Sequence, residues 1–182
     1  MNLRSIYNPV QRDTVFFIET VSETNGKHTL VEVELAPGGG VGLHYHKAYS
    51  ESFLCLDGEV KLQLDKEIHT LKVGDEAITA EANVLHRFFN ASKIPCRFSV
   101  TISPGCRGFE ESLQIAYGLA RDGKTNNKGL PKKFSHVAVL LLLSESKLTG
   151  WRAVLEKLLL SAGKKAVKNG LADELRKAYV SI

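Results

Sequence analysis

The sequence predicts a mainly β chain followed by an α-helical extension. Three observations carry this: apolar residues alternate up to about residue 103, turn signals interrupt them often, and beyond Gly108 the apolar spacing changes to three and four. Val31, Val33 and Leu35 alternate with Glu32 and Glu34. Val60, Leu62 and Leu64 alternate with Glu59, Lys61 and Gln63. Cys96, Phe98, Val100 and Ile102 alternate with Arg97, Ser99 and Thr101. Period-two runs put one face of a strand in a core and the other in water. Asn25-Gly26, Asp57-Gly58 and Gly74-Asp75 mark turns between them. Many short strands with frequent turns predict a closed barrel or a sandwich, with strand and turn from about Val15 to Ile102.

The second part predicts helices. Leu113, Ala116, Tyr117 and Ala120 share one helical face. Residues 121–131 (RDGKTNNKGLP) read as a polar loop, and Phe134 to Lys147 as a second helical stretch. Trp151, Leu155, Leu158 and Leu159 form a third apolar stripe, and Leu171, Leu175 and Ala178 a last one, with Gly163 and Gly170 as breaks. The expected division is therefore a barrel with N-terminal strands over residues 1–107 and a helical extension over 108–182, packed on the barrel or on a partner.

Composition narrows the function classes. The 182 residues are 43% hydrophobic and 24% charged, with a net charge of +4. So small an excess, without a clustered patch, predicts no nucleic-acid partner. Three cysteines (Cys55, Cys96 and Cys106) form no paired framework, no apolar leader opens the chain, and the longest apolar run, Val137 to Leu143, is far short of the ~20 residues that cross a bilayer. A reducing cytoplasm is the expected compartment. Lys157, Lys164, Lys165, Lys168, Arg176 and Lys177 read as the solvated face of helices; contact with an anionic membrane surface is the alternative.

Chemistry concentrates in residues 38–58, GGGVGLHYHKAYSESFLCLDG. His44 and His46 stand two apart, so on a strand both imidazoles point to one side. Glu51 follows five residues later, and a neighbouring antiparallel strand would return it to the same point. Two imidazoles and a carboxylate suit a divalent first-row metal. His86, between Leu85 and Phe88, is the fourth candidate, brought across a barrel interior. The glycine run 38–40 lacks the lysine and following helix of a phosphate loop and is expected to bend the chain into the His-x-His strand. Cys55 shares strand parity with Glu51 and is expected to be buried as a small apolar residue. His28, His69 and His136 fall in a turn, an edge strand and a helix start, and read as structural or solvated.

These residues resemble the two motifs of the cupin superfamily. Gly38, His44, His46, Glu51 and Gly58 satisfy the first. Gly74, His86 and Asn90 match the second, with Ala80 and Ala82 where that motif has proline and glycine. The resemblance covers roughly residues 28–103. It implies a double-stranded β-helix (jelly-roll barrel) with a metal in its mouth on His44, His46, Glu51 and His86. Iron, manganese, nickel, zinc or copper are the metals it admits. By that resemblance the expected function is a small-molecule oxidoreductase of dioxygenase kind with Glu51 as a catalytic group; a metal-dependent isomerase or decarboxylase, or a non-catalytic small-molecule binder, are the alternatives. Trp151 and the Leu158-Leu159-Leu160 run need cover, and a homodimer is expected.

Overall fold

The computed structural model describes residues 4–147 and 156–182, with the side chains of residues 146, 147, 156 and 157 left aside. Ten strands come first: β1 (Ser5–Asn8), β2 (Asp13–Glu19), β3 (Thr29–Leu35), β4 (Tyr45–His46), β5 (Ser50–Asp57), β6 (Glu59–Leu64), β7 (Glu67–Lys72), β8 (Ile78–Ala80), β9 (His86–Phe89) and β10 (Cys96–Ser103). Then follow α1 (Arg107–Arg121), α2 (Phe134–Leu143), a two-residue strand β11 (Ser146–Lys147), α3 (Glu156–Lys168) and α4 (Leu171–Tyr179). Among the described residues no helix interrupts the stretch from Val15 to Ile102, and the chain is mainly β with a helical extension, as the two periodicities predict.

The strands form a six-stranded sheet ordered β1-β2-β3-β10-β5-β8 and a three-stranded sheet ordered β7-β6-β9, with β11 and β4 as a separate pair. The ladders of the two larger sheets are antiparallel. The alternating residues named above face inward: Val31, Val33 and Leu35, Val60 and Leu62, and Phe98, Val100 and Ile102 are all buried in one core between the sheets. Their partners Glu32, Glu34 and Arg97 lie outside, where Arg97 pairs with Glu32. Gly40 bends the chain toward the His-x-His strand. A Cβ there would stand 2.7 Å from the Phe88 carbonyl oxygen, and its φ of +152° disfavours any side chain.

A second core lies among the helices, with Ile115, Leu119, Val139, Ala166, Ala172 and Leu175. Helix α1 serves both. Its Phe109, Leu113, Ala116 and Tyr117 pack on the barrel core, and Ile115 and Leu119 pack on the other helices. Glu110 fixes it there, its Oε1 accepting from the Val21 amide at 2.6 Å and the Thr29 hydroxyl at 2.7 Å.

Two expectations for the extension are corrected. The second helical stretch does not reach Lys147. It ends at Leu143, Glu145 turns the chain with a φ of +51°, and Ser146–Lys147 pairs antiparallel with Tyr45–His46. Gly163 is no break but sits inside α3. A Cβ there would meet the Ala138 carbonyl oxygen at 2.7 Å, so the glycine lets α3 lie close against α2. Gly170 does separate α3 from α4, in the left-handed conformation at φ +84°. Trp151 and Leu155 of the expected third stripe lie outside the described residues, while Leu159 is buried and Leu158 is exposed. No helix among the described residues is long and apolar enough to cross a membrane.

Candidate metal centre

The four candidate side chains converge. His44, His46, Glu51 and His86 each offer one ligand atom, and these atoms all lie within 4.8 Å of one another. The route differs from the expected one. His86 does not come from across the barrel. It is the direct neighbour of His44, the pair exchanging backbone hydrogen bonds of 3.0 and 2.8 Å. Glu51 does not return on a strand paired to β4. It stands on β5 of the six-stranded sheet, between Ile102 of β10 and Ala80 of β8, and reaches the histidines from that sheet. Residues 47–49 are the crossing between the two.

Each imidazole is oriented through its Nδ1. His44 Nδ1 lies 2.9 Å from the Gly42 carbonyl oxygen and His86 Nδ1 lies 2.9 Å from that of Val84. A carbonyl only accepts, so Nδ1 carries a proton, and in the neutral ring Nε2 presents a lone pair. His46 Nδ1 lies 2.8 Å from the Tyr49 hydroxyl, which donates its single proton to the Ser144 carbonyl at 2.9 Å. The hydroxyl therefore accepts from His46, and the same tautomer results. Tyr49 also stacks on the His46 ring, centroids 4.4 Å apart.

The donor set fits a cation. Glu51 Oε2 stands 3.2 Å from His86 Nε2 and Oε1 stands 3.3 Å from His46 Nε2. Either a proton on Nε2 or a metal ion has to lie between the carboxylate and these nitrogens. Charge-assisted N–H···O bonds run at about 2.7–2.9 Å, shorter than these. Two ligands bonded at about 2.1 Å to one ion and at right angles stand ~3 Å apart, which matches. Charge follows the same logic. Burial pushes His44 down to about 4 against the attraction of Glu51, so its ring is neutral and ligand-ready. Burial would raise Glu51, but its hydrogen bonds to His46 and His86 outweigh this and hold the carboxyl below the usual range. Burial likewise opposes protonation of His86, but the contact with Glu51 overcomes it and raises the group, so without an ion this pair shares a proton that a bound metal would displace.

The cluster borders a cavity of about 110 Å³ inside the barrel, where His44 and Glu51 meet walls of Val15, Val31, Val33 and Val100. Phe109, Leu113 and Tyr117 of α1 close one side of it. Among the described lining residues none is lysine or arginine. His46, Glu51 and His86 are buried and His44 is half-buried.

Other candidates fall as expected or better. Ala82 occupies the turn before His86, and the left-handed conformation a glycine would supply there is taken by Asn83, φ +71°. The Asn83 amide donates to the His46 carbonyl at 2.7 Å, so the turn still braces the site. Asn90 is structural, its amide donating to Leu35 and Ile94 carbonyls. Cys55 is buried, its Sγ facing the carbonyls of Asp57 and Gly58, apart from the cluster. His28 sits in a turn paired with Glu19, His69 stands on the outer strand β7, and His136 is the third residue of α2. Tyr49 was missed. Its signal was a lone aromatic inside the polar connection between the histidine and glutamate strands.

Comparison with known proteins bears on the fold. A family model described as Cupin domain matches residues 31–103. Among solved structures, a predicted oxalate decarboxylase from Thermotoga maritima is 22% identical, the match covering 57% of this chain and 99% of that one at a TM-score of 0.50. An RmlC-like cupin from Shewanella frigidimarina is 18% identical, covering 59% and 89% at a TM-score of 0.50. A cupin-superfamily sugar phosphate isomerase from Silicibacter pomeroyi is 19% identical, covering 56% and 71% at a TM-score of 0.49. Likeness at these identities bears on the fold alone. No curated protein matches the sequence.

Proposed function

We propose that this chain, whose residues 31–103 match the Cupin domain family model, holds one divalent transition metal on His44, His46, Glu51 and His86 and oxidises a small molecule in the manner of a dioxygenase. The observation that carries the reading is the convergence of three imidazoles and one carboxylate, their ligand atoms within 4.8 Å of one another, beside a cavity in the barrel. Bound there, iron, manganese, nickel or copper would supply Lewis acidity and one-electron chemistry with oxygen; four protein ligands leave one or two positions open.

The protein's own part is positioning and exclusion of water. The cavity is well below the ~300–1,000 Å³ of pockets for drug-sized ligands, so the substrate is small. Its walls are apolar, and a neutral or singly charged molecule with metal-ligating oxygens suits them. Phosphorylated sugars and dicarboxylates find no compensating cation among the described lining residues. That favours oxidation over the isomerase and decarboxylase alternatives. Glu51 is the one carboxylate of the set and serves as proton acceptor as well as ligand.

Oxygen uptake by Fe(II)-loaded protein against small enols, catechols and thiols tests the reading. Turnover with one of these and none with sugar phosphates or dicarboxylates is expected. Tight, saturable binding without turnover under iron, manganese, nickel or copper makes the protein a small-molecule binder instead. The barrel and the exposed Leu158 and Phe134 of the extension also fit a closed two-fold dimer.

A further inference from the structure

The cavity beside the metal cluster has a second polar part. Besides His44 and Glu51, its lining includes Gln11 and Tyr117. Both lie outside residues 31–103, Gln11 in the turn between β1 and β2 and Tyr117 on α1. The matched domain supplies the candidate ligands, and the segments on either side of it supply these two groups.

Local contacts fix what Gln11 presents. Asn8 Oδ1 accepts from the amides of Val10 and Gln11 at 2.9 and 3.1 Å, so Asn8 Nδ2 is the end left to donate, and it donates to Gln11 Oε1 at 2.8 Å. The Gln11 carboxamide is thereby turned. Its oxygen is engaged, and its NH2, without a partner among the described residues, is left to donate. The Gly40 amide donates to the Gln11 carbonyl at 3.3 Å, which ties this turn to the chain leading into His44.

Tyr117 presents the opposite. Its hydroxyl donates to Asp13 Oδ2 at 2.5 Å. Burial and the Asp13 carboxylate raise this hydroxyl well above its ordinary range, so it keeps the proton. With that proton committed, its oxygen can only accept a further hydrogen bond. Asp13 stands two residues after Gln11 and two before Val15, and both of these line the cavity. The hydroxyl end of Tyr117 is therefore at the same wall as Gln11.

A ligand group at this wall meets one donor and one acceptor. An ammonium offers nothing to Gln11, and a carbonyl offers nothing to Tyr117. A carboxylate would also face the Asp13 carboxylate behind Tyr117. A hydroxyl serves both, accepting from the Gln11 N–H and donating to Tyr117 Oη. We infer that Gln11 and Tyr117 select a hydroxyl group of the substrate, which is thus a small hydroxylated molecule carrying its metal-ligating oxygens at the other end. Asp13 acts through Tyr117 as a positioning residue. The inference rests on the proposed metal centre.

Two hydroxamates of equal size test it on the full chain loaded with Co(II). Both chelate a metal through two oxygens; glycolohydroxamate carries CH2OH where propionohydroxamate carries CH2CH3. Affinities are read from the visible spectrum of Co(II) at about pH 8, above the value of about 6 to which burial raises Asp13. Apolar walls alone favour the ethyl group. The native chain should instead prefer glycolohydroxamate about fivefold or more, the scale of one or two net hydrogen bonds. Gln11→Leu and Tyr117→Phe should each shrink that preference and together reverse it, with Co(II) content and propionohydroxamate affinity within about twofold of native, well inside the effect of one lost hydrogen bond. A merely structural role would weaken both probes alike. Equal affinities in the native chain, a preference that survives Gln11→Leu, or equal weakening of both probes would each overturn the selection of a hydroxyl while leaving the metal centre standing. Failure of the native chain to take up Co(II) would overturn the metal centre, and this inference with it.

Discussion

Among the proposed ligands, His44 and His86 are those whose loss is easiest to read, because the two residues hold each other by a pair of backbone hydrogen bonds that survive removal of either side chain. His44→Ala or His86→Ala should therefore keep the barrel and lose the metal, seen as a fall from about one equivalent per chain toward zero in elemental analysis. Full occupancy in the His44→Ala/His46→Ala variant would refute the ligand assignment. Tyr49→Phe leaves the stacked ring and removes the acceptor for His46 Nδ1–H together with the donor to the Ser144 carbonyl. Loss of such an outer partner typically weakens metal affinity 10–100-fold, measurable by competition with a chelator. Glu51→Gln keeps three imidazoles and the side-chain shape. It should retain much of the metal while turnover falls ~10²-fold or more; unchanged turnover would remove Glu51 from the chemistry. The cluster of His44, His46, Glu51 and His86 was legible because motif spacing names residue types directly. Tyr49 was not, since its partners Ser144 and His46 meet only in the fold, 95 and 3 residues away.

Helix α1 acts as a stopper for the barrel, and a buried acid lies beneath it. The Tyr117 hydroxyl donates to Asp13 Oδ2 at 2.5 Å, while Oδ1 of Asp13 has no partner among the described residues. Burial, opposed by the Tyr117 hydrogen bond, pushes this carboxyl up from 3.8 to about 6. The folded chain thus holds the proton more tightly than the unfolded one. Below pH 3.8 both are protonated and nothing is lost. Between pH 3.8 and 6 only the unfolded chain ionises, so stability declines, and above pH 6 the full cost remains, on the order of 3 kcal/mol. Asp13→Asn should flatten that limb and stabilise the fold at pH 7 by about 1–3 kcal/mol in urea titrations. A variant with an unchanged pH profile would show that Asp13 ionises normally. At this scale the long strands and helices were visible from periodicity. Strand β11 was not, because two residues carry no period and followed an apolar helix without an obvious stop. Nor was Glu110, a helical carboxylate whose buried partner Thr29 lies 81 residues away.

The whole molecule is a barrel and a helical layer joined through α1, which contributes to both cores. The extension's exposed basic residues Lys164, Lys165 and Lys168 cover the outside of α3, whose Leu159 and Ala166 turn inward, so the charge run reads as a solvated face. A homodimer should appear in light scattering as twice the 20.0 kDa chain mass, and a monomer mass at high concentration would reject it. The barrel could be anticipated from sequence because alternation and turns are local signals. The docking of the extension could not, since it rests on pairings between residues about a hundred positions apart.

One of those pairings carries a timetable. His46 lies opposite Ser146, one hundred residues further along the chain. At ~5–20 residues per second, a ribosome makes the ligand strand roughly 5–20 seconds before the strand that pairs with it. During that interval His46 also lacks the Ser144 carbonyl that holds Tyr49 in place. If the cluster binds an ion as proposed, tight capture would wait until residues 144–147 have emerged. Stalled chains ending at residue 140 should take up metal at least tenfold more weakly than released protein, the lower bound expected for a missing outer partner; equal uptake would mean the barrel loads on its own.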